Sequence, residues 1–120
     1  MLLPVKILAK LTSAIENKRV ILVRYDGLDY IVEPYVLYHA PNGNWIVHTY
    51  KTGGDFKDVP GPHWANLRAD KIEEVHMLNR RWKTPHDGYK PDGIRGEVLC
   101  ATAVGPPAQQ AELGNLTVNV

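Results

Sequence analysis

Three groups of side chains in this 120-residue sequence carry recognisable binding chemistry. Arg68 and Lys71 stand three residues apart in NLRADKIEEVHML. An arginine offers phosphate two planar donors and a lysine offers a mobile point charge, so the pair could hold an anion. The competing arrangement has Arg68 paired with Asp70 or Glu73 and Lys71 simply solvated. His48 and Tyr50 lie two residues apart in NWIVHTYK, so on a strand they share one face. Arg80-Arg81-Trp82-Lys83 interleaves charge with an aromatic ring. That pattern suits stacking on a base beside a neutralised phosphate. It also suits Trp82 anchoring the chain to a core while the arginines stay in water.

Catalytic and metal chemistry find little support. The five histidines (39, 48, 63, 76 and 86) form no HxH, HxxxH or HExxH pattern. His39 and His48 could face each other across a PNGN hairpin, but no cysteine cluster accompanies them. The lone Cys100, in LCATAV, reads as a strand residue with a structural thiol. TGGD lacks the context of a phosphate loop, and no nucleophile elbow is present. The expectation is a protein that is not an enzyme, with no cofactor and no metal.

The elements that must position these residues follow from periodicity. Val5, Leu8, Leu11 and Ile15 repeat at helical spacing behind Pro4, and Asn17 suits a C-terminal stop, so residues 4–17 predict an amphipathic helix. RVILVRY alternates as a strand, and Asp26-Gly27 makes a tight hairpin to LDYIVEP. Pro34 cannot donate to a ladder, so the chain should bend or lie at an edge there. YVLYHA, the PNGN turn and WIVHTYK give a third and fourth strand, with Trp45 and Val47 on the core face and Ile46, His48 and Tyr50 on the other. Residues 52–62 read as a loop, and Ile72, Val75 and Met77 as a last strand, with or without a short turn before it.

The fold class expected is therefore mainly β: a small, strongly bent barrel with one N-terminal helix over residues 1–82. Residues 83–120 form an extended C-terminal arm or extension, to which EVLCATAV and LTVNV could each add a strand.

Length fits a single core. The net charge of +1 gives no overall polyelectrolyte attraction, although its distribution is uneven. Residues 1–24 carry five Lys/Arg against one acid, and residues 78–95 carry five against two, around a net-acidic centre. One cysteine excludes a disulfide framework, and no apolar run approaches the roughly 20 residues of a membrane span. A cytoplasmic setting with no membrane partner is the expectation.

From Leu11 to about Pro85 the order of features resembles the WYL domain of bacterial regulators. LTSAIENK leads to VILVRY, then to EPYVLYHAPNGNWIVHTY, where the family carries a Glu-Pro-Tyr opening and a Trp-Tyr-Leu tripeptide. LRADKIEEVHML is similar to the family's Phe-Arg-x-x-Arg-Ile segment, and NRRWKTPHDG to the aromatic-Pro-Asp exit. Here the tripeptide is Trp45-Ile46-Val47, Leu67 stands for the phenylalanine and Lys71 for the second arginine. No helix-turn-helix is read ahead of the domain. The resemblance implies an Sm-like or Src-homology-type barrel used for ligand sensing in transcription regulation. Its implied partners are a nucleotide or single-stranded nucleic acid, held through Arg68, Lys71, His48, Tyr50, Arg80 and Arg81, and a homodimer. The alternative is a protein-interaction or dimerisation module that docks on a larger partner.

Overall fold

The computed structural model describes residues 5–55 and 60–102. The helix start expected at Pro4 and the terminal strand expected at LTVNV lie outside these residues. The helix α1 spans Val5–Glu16 and buries Ile7, Leu11, Ala14 and Ile15 along one stripe. It ends where Asn17 donates from its side chain to Ser13 O at 2.8 Å and Lys18 takes the left-handed φ of 55°. The stop is thus shared, with Lys18 in the conformation that favours glycine or asparagine.

Six antiparallel strands follow: β1 (Arg19–Tyr25), β2 (Leu28–His39), β3 (Trp45–Gly54), β4 (His63–Arg68), β5 (Ile72–Arg81) and β6 (Glu97–Ala101). The main path runs β4-β3-β2-β1-β5, and β6 pairs with β2. Asp26 and Gly27, at φ 51° and 83°, make the primed turn that the Asp-Gly pair predicts. The fold is mainly β with one helix. Among the described residues β4 and β5 are joined by the 3-10 turn Ala69–Lys71, not by a ladder, so strand pairing does not close the sheet.

Two expected strands prove to be one. β2 continues through Pro34, where its register against β3 slips between Pro34 and Val36, and this bulge absorbs the missing donor. The bulge also divides the strand's partners. β1 pairs as far as Val32, and β6 takes over from Val36. β3 extends to Gly54, past the expected start of the loop.

The sheet carries two separate clusters. On one side α1 covers Ile21, Val23, Val32, Leu37, Val47, Leu67, Ile72, Val75 and Cys100, an almost wholly aliphatic core. Val47 is buried and Trp45 packs on this cluster, as the strand alternation predicts. Thr49 and Lys51 continue the same face of β3, buried with Thr49 Oγ1 donating to Ala65 O at 2.8 Å and the Lys51 ammonium over the Tyr30 ring. On the other side lie Val20, Tyr35, Val36 and Trp82, joined by Tyr38, Tyr50, Trp64 and Tyr89.

Candidate functional site

The second cluster contains the chemistry. In the β3–β4 register His48 stands opposite Asn66, Tyr50 opposite Trp64 and Ile46 opposite Arg68. Directly opposed residues of an antiparallel pair share a face, so one surface carries His48, Tyr50, Trp64, Asn66 and Arg68. The imidazole of His48 stacks on the Trp64 indole at 4.9 Å and 7°, and its Nδ1 lies 2.6 Å from Asn66 Oδ1. Tyr50 meets Trp64 edge-on at 5.1 Å. The bulge in β2 places Glu33 and Tyr35 beside them, with Glu33 directly opposite Tyr50.

The chain after β5 folds back over this face. Trp82 is buried, edge-on to Tyr35 at 5.1 Å, and its backbone N–H donates to Lys18 O. This is the anchoring arrangement, and Arg80 and Arg81 remain exposed beside it. His86 then lies flat on Tyr50, with ring centroids 3.8 Å apart and an angle of 16°. Its Nδ1 is 2.9 Å from Glu33 Oε1 and 3.2 Å from the Tyr35 hydroxyl, and its backbone N–H donates to the same hydroxyl at 3.2 Å. Gly88, at φ 94°, brings the backbone over the Trp64 indole, where a Cβ would sit 3.2 Å from Nε1. Tyr89 stacks beyond it, 6.2 Å from Trp64 and 5.1 Å from Tyr35.

Tyr35 is the hub. Its hydroxyl donates to Glu33 Oε1 and accepts from the arm. Burial, reinforced by the bonded Glu33 carboxylate, pushes its phenol far above the ordinary range, so the donor is retained at any physiological pH. Burial also raises the phenol of Tyr89. Among the described residues, Trp82 Nε1 and the Tyr89 hydroxyl are buried without hydrogen-bond partners. Each such orphan costs about 1–3 kcal/mol, so the arm's seat is not fully satisfied.

The six residues expected to bind do not converge on one point. His48 and Tyr50 sit together in the aromatic face. Arg68 shares that face, but its guanidinium forks onto Asp70 at 3.1 and 2.8 Å. The Arg68 guanidinium in turn holds the Asp70 carboxyl below the usual range. Lys71 is exposed in the 3-10 turn, and Arg80 and Arg81 lie on β5, at the other end of the sheet path. Glu33, Tyr35, Trp64, His86 and Tyr89 were not among the residues expected to bind. The available signal was the spacing of Glu33 and Tyr35, two apart and therefore on one strand face.

Among the described residues, no group of His, Cys, Asp and Glu could hold a metal ion. Burial, with a smaller contribution from Glu16, raises the Cys100 thiol, which suits a structural role. No described helix is long and apolar enough to cross a membrane. No known protein family, curated protein or solved structure matches the chain.

Proposed function

We propose that this is a non-enzymatic ligand-binding module of WYL-like type that takes a nucleotide or single-stranded nucleic acid on its β3–β4 aromatic face. One observation carries the reading: His48, Tyr50 and Trp64 form a continuous ring cluster from two neighbouring strands, half-buried beneath the arm, with Arg68 on the same face. Successive aromatic rings are what an unpaired base stacks on, and each such contact is worth about 1–3 kcal/mol. Arg80 and Arg81, exposed next to the Trp82 anchor, supply the charge for a phosphate backbone. The strand order, with a short 3-10 turn between β4 and β5, suits the small Sm-like or Src-homology-type barrel on which this reading depends. A role in bacterial transcription regulation, in the cytoplasm, follows from the same resemblance.

Fluorescence anisotropy with short labelled single-stranded DNA and RNA tests the reading. Binding should weaken as salt rises and should be lost in Trp64→Ala. Salt-insensitive binding, or no binding to oligonucleotides and mononucleotides alike, overturns it.

A second reading has its own observation. β6 exposes Val98 and Leu99, at 49% and 51%, on a strand paired with β2. A protein-interaction or homodimer surface there would show as a concentration-dependent mass in light scattering, removed by Val98→Lys.

A further inference from the structure

The position of His86 defines a slot with its own chemistry. One wall is the Tyr50 ring, on which the imidazole lies flat at 3.8 Å. The end of the slot is Glu33 Oε1 together with the Tyr35 hydroxyl, both within hydrogen-bond reach of Nδ1. The flank is Trp64, edge-on to Tyr50. A flat aromatic nitrogen heterocycle, presenting a ring nitrogen to a carboxylate, already fills this slot from within the chain.

Two features indicate that the occupant can leave. The His86 side chain is 41% exposed, while Glu33 beneath it is 11% exposed. The segment that carries it leaves Trp82 Nε1 and the Tyr89 hydroxyl without partners among the described residues, so closure does not satisfy its own donors. Both hydrogen bonds to the Glu33 carboxylate fall on Oε1.

From this geometry we propose that the Tyr50–Glu33–Tyr35 slot is a guanine site, for which His86 is the built-in stand-in. The inference rests on the nucleotide-binding reading and names its preferred base. A carboxylate has two acceptor oxygens and no donor. Guanine presents two adjacent donors, N1–H and the N2 amino group, which meet those oxygens side by side. Adenine and cytosine each set a ring-nitrogen acceptor beside their amino donor, and that acceptor faces a carboxylate oxygen unfavourably. Uracil offers one donor between two carbonyls. The flat face of the purine takes the place of the imidazole on Tyr50, and the arm must lift for it to enter.

The test is titration of GMP, AMP, CMP and UMP into the wild-type protein, His86→Ala and Glu33→Gln, with folding checked by circular dichroism. GMP should bind about tenfold more tightly than the other three, in line with one good bidentate base contact. His86→Ala, which removes the internal competitor, should tighten GMP binding by several-fold. Glu33→Gln offers one acceptor and one donor, and the preference should move from GMP to AMP and CMP, which both set a ring-nitrogen acceptor beside an amino donor. A readout that needs no variant is the His86 ring-proton resonances of the wild-type protein. Tyr50 holds them upfield, and saturating GMP should return them to their free positions. If GMP leaves those resonances unmoved, or if His86→Ala binds all four nucleotides within twofold, the guanine site is overturned while the stacking surface stands. If neither nucleotides nor oligonucleotides bind any form, the function proposed above falls as well.

Discussion

The two faces of this sheet are built from the same strands and solve different problems. Under α1, Leu11, Ile15, Ile21, Val23 and Val32 are wholly buried, and nearly every contact is aliphatic. Under the arm, five aromatic residues surround a carboxylate, two imidazoles and a phenol. The first face is covered by a regular helix with its own backbone hydrogen bonds. The second is covered by a segment whose regular structure between β5 and β6 is one 3-10 turn, Pro91–Gly93. A protein that needed only stability would gain little from placing Glu33 and His86 in its second core, since buried polar groups must all be paired. The aliphatic face holds the molecule together, and on the function proposed above the aromatic face is where one partner is exchanged for another.

The largest expected contrast comes from Leu11→Ala. Leu11 is fully buried between helix and sheet, and truncation there should lower stability by about 2–5 kcal/mol in urea unfolding. Nucleotide affinity of the fraction that stays folded should be unchanged. A change in affinity as large as the change in stability would show that the two faces are not separate.

Tyr35→Phe comes next and tests the other side. It keeps the ring and its packing on Trp64, Trp82 and Tyr89 but removes the donor to Glu33 and the acceptor for the His86 N–H. Leaving those partners unpaired should cost about 1–3 kcal/mol. Amide exchange should accelerate at residues 86–89 well before it does in α1. Uniform acceleration would mean that arm and helix open as one unit.

The contrast also explains what the sequence made legible. Period reads well where one face is uniformly apolar, and this is why α1, β1 and the core side of β3 are where the pattern places them. Trp45 and Val47 follow from alternation alone, and so does the pairing of His48 with Tyr50 on one face. The bulge at Pro34 is not local information, because it depends on β3 and β6 sharing β2 on either side of it. The arm was opaque for a related reason. KTPHDGYKPDGIRG has no period because its residues do not pack on a periodic element of their own. His86 and Tyr89 take their positions from rings on β2, β3 and β4, distant in sequence. The local pattern left Arg68 either to an anion with Lys71 or to a neighbouring acid, and the structure has the second, with Asp70 the nearer of the two acids named for it.

Gly88→Ala is a smaller and more local probe of the same boundary. The residue adopts φ 94°, and an added Cβ would press 3.2 Å from Trp64 Nε1. Strain of this kind is worth about 1 kcal/mol, and lifting the arm relieves it. The variant should lose roughly that much stability, with Trp64 emission shifted to the red as the indole meets water. A loss as large as that of Leu11→Ala would place the arm within the cooperative core and break the comparison.

The smallest effect is expected at the end of the aromatic face. Asp70 neutralises Arg68, whose side chain is 41% exposed, so the pair is screened and worth under about 1 kcal/mol. The sign of its pH dependence follows from the lowered Asp70 carboxyl. The folded state favours the ionised form, so the contribution is fully present above the unfolded value near 3.8 and fades as pH falls through the lower folded value. Asp70→Asn should therefore lie slightly below wild type in stability at pH 7 and converge with it toward pH 2. The same substitution releases a guanidinium onto the face that carries His48, Tyr50 and Trp64. Oligonucleotide affinity should then rise while stability falls, an opposite movement that a purely structural ion pair would not produce. Measured side by side in low salt, the two signs decide whether Arg68 belongs to the binding face or only to the turn that closes β4.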